Sequence, residues 1–299
     1  MKLFQLQLLK TVINNGLNIS RAADQHFVVQ SAVSRQLSLL EEELGLPLFE
    51  RKGKRLVKAT PLSEAIVEQV GVIDLAMDNI RAVADDFRDG RQGEIRIATT
   101  HLQAKYFLPS VLKQFRNQYP KVKVNFLQGN PGQLVRMLHD GEADIAVCTE
   151  ELADDEALVT HHCYDWNHAL IIPSDHDLVS DELDLARIAK YPILTYVLGF
   201  TGRSKIEAAF AKENLTIDTS FSATDSDVIK SYVKLGFGVG IIAKMAHPVA
   251  EEGLVLRDLA EFFPVSTTRV AYMRNKHLKS YHGELIKLLE TFGSELTTP

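Results

Sequence analysis

The sequence predicts a chain in two parts. A small head of three helices and a hairpin is joined by one long helix to a larger α/β body of two subdomains. Three observations predict it. Charge is uneven: residues 1–60 carry 9 Lys and Arg against 5 Asp and Glu, whereas the remainder carries 24 against 34. Apolar residues in residues 61–87 recur at alternating spacings of four and three. From residue 93 onward, short strand-like runs alternate with helical ones. The 299 residues suffice for about two domains. A composition 45% hydrophobic and 24% charged excludes a mainly disordered chain. Two cysteines, Cys148 and Cys163, exclude a disulfide scaffold and suit a reducing compartment. No apolar run is long enough to span a bilayer, and Gln5, Gln7 and Lys10 interrupt the only leader-like stretch. The expected location is the cytoplasm.

The head is read first. Leu6, Leu9, Val12 and Ile13 form one face of a helix over residues 2–15, which Gly16 ends. A second helix starts near residues 18–20, where Asn18 and Ser20 are good caps, and Ala22 and Ala23 allow a close neighbour. The third covers residues 31–44 and stops at Gly45. Its Val33, Leu37, Leu40 and Leu44 face a core, while Ser31, Ser34, Arg35 and Ser38 form a short polar face. Such a face suits a helix that enters a major groove and offers donors to base edges and phosphates. Next, Arg51, Lys52, Lys54, Arg55 and Lys58 surround Gly53 in a hairpin pattern. Five cations there suit a ribbon laid along a phosphate backbone.

The residues Ala22-Ala23, Gln30-Ser31-Ala32-Val33-Ser34-Arg35-Gln36, Leu40-Glu41, Leu44-Gly45, Leu48-Phe49, Arg51 and Thr60-Pro61 carry a family resemblance. Together they resemble the winged helix-turn-helix of LysR-type transcriptional regulators. The resemblance implies that Gln30, Ser31, Ser34 and Arg35 contact double-stranded DNA, with the wing on the backbone. The family often follows Thr-Pro with Ala-Gly. Here Leu62-Ser63 stands instead, which alters the entry into the next helix.

That next helix should run over residues 61–87, with Pro61 in its first turn. Ile66, Val70, Ile73, Met77, Ile80, Ala84 and Phe87 form a heptad seam. A dimer seam is expected, because two heads can then read a two-fold site. The family similarly dimerises through this helix. Residues 88–93 have the composition of a hinge.

In the body, strands are expected at 94–99, 122–127, 143–148, 169–172, 193–197, 217–223, 238–242 and 267–273. Helices are expected at 103–118, 131–139, 204–212, 225–235 and 279–292. This rhythm argues for parallel sheets covered by helices on both faces. The resemblance implies a periplasmic-binding-protein-like effector domain. Its first subdomain would be 93–163 with 266–299 and its second 164–265, after a head of 1–60 and a linker of 61–92. Ligands of such sheets sit beyond the carboxyl ends of the strands. Four polar junctions fall there: residues 99–103, Thr149, residues 200–204 and residues 223–227 including Thr224.

Ile97-Ala-Thr-Thr-His101, Tyr164-Asp-Trp-Asn167, Gly199-Phe-Thr-Gly-Arg-Ser204 and Ala223-Thr-Asp-Ser-Asp-Val-Ile-Lys230 are similar to the CysB/Cbl branch of the family. That likeness implies an activator of cysteine biosynthesis and sulfur assimilation genes. Its effector would be acetylserine, sulfate or a thiosulfate-like anion, held by Thr100, Gln103, Thr149 and Thr201. Leu102 stands where the branch commonly has Thr, so one hydroxyl contact is missing. The family also implies tetramers built from two dimers and contact with RNA polymerase. Two alternatives stay open: a LysR-type regulator answering another small molecule, and a solute-binding protein, against which the basic head argues.

Weaker signals point away from other chemistry. His161, His162, Cys163 and His168 fit no standard zinc spacing. Residues 236–240 follow a helix and precede a strand, the wrong order for a pyrophosphate loop. No Ser/His/Asp or Cys/His arrangement has a family-like context, so neither catalysis nor a cofactor or metal is expected. Trp166 suits the cleft or the core equally.

Overall fold

The computed structural model describes residues 1–299 except 54, 181, 201, 220, 247–252 and 298–299. The chain divides into two compact units, residues 1–82 and 83–299.

In the first unit, α1 (Leu3–Asn14), α2 (Ile19–Gln25) and α3 (Gln30–Leu44) pack around Leu9, Val12, Val33, Leu37 and Leu40, all fully or almost fully buried. Asn18 caps α2 by accepting from the Arg21 N–H at 3.0 Å. Ala22 and Ala23 are buried where α2 meets α3. Gly45 ends α3 in the left-handed conformation, φ 69°, which a side chain would strain. The hairpin is β1 (Phe49–Lys52) and β2 (Arg55–Ala59), paired antiparallel around Gly53.

Helix α4 (Pro61–Asp89) runs from the first unit into the second. Ser63 explains the departure from the Ala-Gly pattern. It is fully buried and its hydroxyl donates to the Leu48 carbonyl, tying the first turn of α4 to the base of the hairpin.

The second unit holds two five-stranded sheets. The first has the order β4-β3-β5-β12-β6, from β3 (Gln92–Thr99), β4 (Lys121–Gln128), β5 (Ile145–Cys148), β6 (Leu158–Trp166) and β12 (Ser266–Met273). The second has the order β11-β7-β10-β8-β9, from β7 (His168–Pro173), β8 (Ile193–Tyr196), β9 (Phe221–Ala223), β10 (Val239–Ala243) and β11 (Leu254–Asp258). Covering helices include α5 (His101–Tyr106), α6 (Leu108–Gln118), α7 (Pro131–His139), α8 (Leu185–Ile188), α9 (Arg203–Lys212), α10 (Ser226–Lys234) and α11 (Ser280–Thr297). The chain passes from the first sheet to the second at Asn167 and returns between β11 and β12. We call the two halves subdomains I and II.

The sheets are mixed rather than parallel. β3 runs parallel to β4 and β5, but β12 runs antiparallel to both β5 and β6. In the second sheet β7 runs antiparallel to β10 and β11. The two strands at the crossings, β7 and β12, run against the strands they pair with. Two further differences are local. The helix expected over 103–118 breaks at Phe107, because Pro109 in the first turn of α6 can give no N–H to the preceding turn. Of the strand expected over 217–223, β9 occupies Phe221–Ala223 and residue 220 lies outside the described residues; earlier, the Asp218 carbonyl takes one bond from the Ile193 N–H at 2.7 Å.

Candidate functional site: a helix-turn-helix head and buried threonines in the body

The head presents the expected polar face. Gln30, Ser31, Arg35 and Ser38 are exposed on α3 and Ser34 is half-buried, while Val33, Leu37 and Leu40 on the opposite side are in the core. Helical periodicity alone produces that division. Lys52 and Arg55 are exposed on the hairpin. Arg51 is used differently: its guanidinium lies 2.9 Å from Glu41 of α3, fastening the hairpin to the helix. Lys54 lies outside the described residues. An open groove of about 770 Å³ separates the hairpin from α2, with Asn18, Ser20, Gln30, Lys52 and Arg55 on its walls. Sequence reasoning missed Ser20 as a wall of this groove; its position two residues after the cap of α2 is the signal that could have found it.

The seam on α4 divides. Val70 is fully buried in the head's own core and Ile66 packs against the same cluster. Ile73 and Ile80 are exposed, Met77 is half-buried, and Phe87 is 90% exposed.

In subdomain I, β3 and β5 are parallel neighbours, with Thr99 opposite Val147. Thr100 and Thr149 therefore lie just past the carboxyl ends of adjacent strands, and both are buried. Thr100 precedes α5 and Thr149 precedes a short 3-10 turn, yet neither side chain caps the element that follows. Helix capping thus engages neither hydroxyl, and Thr149 Oγ1 lies 3.7 Å from Cys148 Sγ. Gln103 is also buried; its amide N–H donates to Thr268 Oγ1 at 3.1 Å and its carbonyl accepts from the Tyr164 hydroxyl at 2.7 Å. Burial pushes the Tyr164 pKa well above its usual value, so that hydroxyl stays a donor. Gln103 therefore has at most one N–H left for a ligand.

Leu102 joins the apolar core of the body. Thr224 is exposed, one residue before the α10 cap Asp225. Thr201 lies outside the described residues. Its neighbour Gly202 has φ 80°, and a Cβ there would come within 2.1 Å of His168 Nε2. Only glycine lets this backbone approach the buried imidazole so closely. Trp166 is buried, and its indole N–H has no partner among the described residues. That indole donor is a second group sequence reasoning left undecided.

His101, Asp225 and Asp227 bring three potential ligand atoms within 4.8 Å of one another. Lys105 and Lys230 already pair with Asp227, so the group is compensated by ammonium charges. His161 pairs instead with Glu290 at 2.8 Å and His162 with Asp165 at 3.1 Å.

Residues 3–64 match the model for bacterial regulatory helix-turn-helix proteins of the lysR family, and residues 88–293 match the LysR substrate binding domain. The chain belongs to the LysR family of DNA-binding transcriptional regulators. The HTH-type transcriptional regulator CysB of Haemophilus influenzae is 41% identical over 300 residues, covering 99% of this chain and 91% of that protein. The regulator SsuR of Burkholderia cenocepacia is 41% identical over 286 residues, 95% of this chain and 93% of its own. Among solved structures, the cofactor-binding domain of the Cbl transcriptional regulator superposes with a TM-score of 0.64 at 38% identity, over 70% of this chain and 95% of that one. The family assignment places the α3 face and the hairpin in a DNA-binding head, and the two mixed sheets in a substrate-binding body. Among the described residues, no helix is long and apolar enough to cross a membrane.

Proposed function

We propose that this LysR regulator activates cysteine biosynthesis and sulfur assimilation genes from the cytoplasm, and that acetylserine, sulfate or a thiosulfate-like anion is its effector. The observation that carries the reading is the pair of buried threonines, Thr100 and Thr149, whose hydroxyls do not cap the elements behind them. Neutral hydroxyls and amides can hold a charged oxygen by several hydrogen bonds without a balancing cation. Thr201, the remaining Gln103 N–H and the indole N–H of Trp166 complete the proposed set, with Thr224 at its edge. The CysB, SsuR and Cbl likenesses support this pathway over others.

Ile73, Met77 and Ile80 form the proposed dimer seam, with Ile66 and Val70 anchoring that helix to its own head. Gln30, Ser31, Ser34, Arg35 and Ser38 read the groove, and Lys52, Lys54 and Arg55 follow the backbone. Two dimers form the tetramer that meets RNA polymerase. One observation favours a second reading, a different effector: Leu102 is a core residue and offers no hydroxyl. Operator footprinting with and without acetylserine, sulfate and thiosulfate separates the two. Thr100→Ala should weaken binding of the active compound at least tenfold by calorimetry and leave the fold intact; an unchanged affinity rejects the pocket.

A further inference from the structure

The two subdomains are joined by two crossings of the chain, at Asn167 and between β11 and β12. Such a connection permits hinge opening unless side chains oppose it. Several of the side chains that do so converge on one carboxylate, while the Tyr164 hydroxyl also meets Met245 Sδ at 3.0 Å. Asp227 lies in the first turn of α10, in subdomain II. Its Oδ1 accepts from the Tyr106 hydroxyl at 2.7 Å and from Lys230 Nζ at 3.0 Å, and its Oδ2 pairs with Lys105 Nζ. Beside it, His101 Nε2 lies 2.8 Å from Asp225 Oδ2. His101, Lys105 and Tyr106 are three of the six residues of α5, in subdomain I. Thr100 immediately precedes this same short helix, and Gln103 lies within it.

The network is self-consistent. Asp225 Oδ1 accepts from the Asp227 N–H at 2.7 Å, which fixes the start of α10. Lys230 is buried and also donates to the Ala246 carbonyl at 3.0 Å, so its charge is held in place. Burial alone would raise the Asp227 pKa, but donation from Lys105, Tyr106 and Lys230 holds it well below the usual carboxylate range. The carboxylate is therefore charged whenever the protein is folded near neutral pH.

We propose that Asp227 is a positioning residue for the effector: it clasps α5 to subdomain II and so holds closed the cleft that contains Thr100 and Thr149. This inference rests on the effector site proposed above. A partly exposed ion pair adds little to overall stability. It acts here on a different equilibrium, between open and closed cleft. A ligand that needs the closed form loses affinity in proportion as that form is depopulated. A ligand held in the closed cleft leaves through the open form, so loss of the clasp should appear in the dissociation rate.

The test uses the full-length chain, with Asp227→Asn, Lys105→Gln and the double variant. Sulfate, thiosulfate and acetylserine are the probes, followed by calorimetry and stopped-flow. Each single variant should raise the dissociation constant of the active probe about tenfold, mainly through faster dissociation. The double variant should add little further, because the two groups act as one contact. The thermal midpoint without effector should move by less than about 2 °C in Lys105→Gln, given the small worth of a partly exposed pair. Hydrogen exchange of the ligand-free protein should quicken in α5 and α10 of Asp227→Asn and stay unchanged in the central strands β3, β5 and β8. An affinity within twofold of the parent, or a loss matched by an equal loss of stability, overturns the clasp. If no probe binds the parent chain, the effector reading fails, and exchange in α5 alone then decides the clasp: unchanged rates refute it.

Discussion

Asp144 shows what a single residue can control at a distance from the cleft. It begins the β5 segment whose other end leads to Thr149. Its carboxylate accepts from the Arg96 backbone N–H and guanidinium at 2.8 Å each, and from Lys276 Nζ at 2.8 Å, with His282 Nε2 at 3.9 Å. Burial would raise its pKa, but His282, Arg96 and Lys276 override burial and hold it far below the usual carboxylate range. A depressed folded-state pKa contributes stability that is present above the unfolded value, about 3.9, and lost as pH falls toward the folded one. Urea unfolding of the body should therefore weaken progressively below about pH 4. Asp144→Asn should flatten that acid limb and cost about 3 kcal/mol at neutral pH, because Arg96 and Lys276 lose their anion. An unaltered acid limb in the variant refutes this role. None of it was legible in the sequence, where Arg96, Asp144, Lys276 and His282 are unrelated positions. The threonines were legible, since each follows a recognisable strand. The internal use of Gln103 was not, because Thr268 is 165 positions away.

At the scale of elements, helices were read better than strands. α3 and α7 were legible because helical period and end signals agree, as with Gly45 after Leu44 and Pro131 after the Asn130 cap. β6 was hidden by His161, His162 and Asp165, which break its apolar alternation although it pairs with β12 along its whole length. The long helix α4 carries one regular seam with two environments. Ile66 and Val70 belong to the head, and Ile73 and Ile80 remain exposed. Heptad spacing cannot tell these apart, because it records a face and not what covers it. Ile80→Arg should convert the dimer to monomer in sedimentation velocity with an unchanged helical signal. Val70→Ala should instead destabilise the head by about 2 kcal/mol by leaving a cavity. A dimer that survives Ile80→Arg removes that part of α4 from the interface.

At the scale of the whole molecule, the charge division already separates a basic head from an acidic body. Counterion release makes such binding steeply dependent on salt. Removing Lys52 and Arg55 together should lower the slope of log affinity against log salt by about 2, one phosphate contact each. Arg51→Ala should change that slope much less, because Arg51 is engaged with Glu41, and should loosen the hairpin instead. Equal slope changes for all three would show that the Arg51 pair opens on DNA. By itself the sequence determined the order of the parts, the reading face of α3, the hairpin cations and the threonine junctions. All of these follow from local spacing, turn residues and charge. Tertiary structure alone decided which strands run antiparallel, which cation is spent on a carboxylate, and which side chains join α5 to α10. Those outcomes depend on contacts between residues up to 194 positions apart, and no local pattern encodes a partner at that separation.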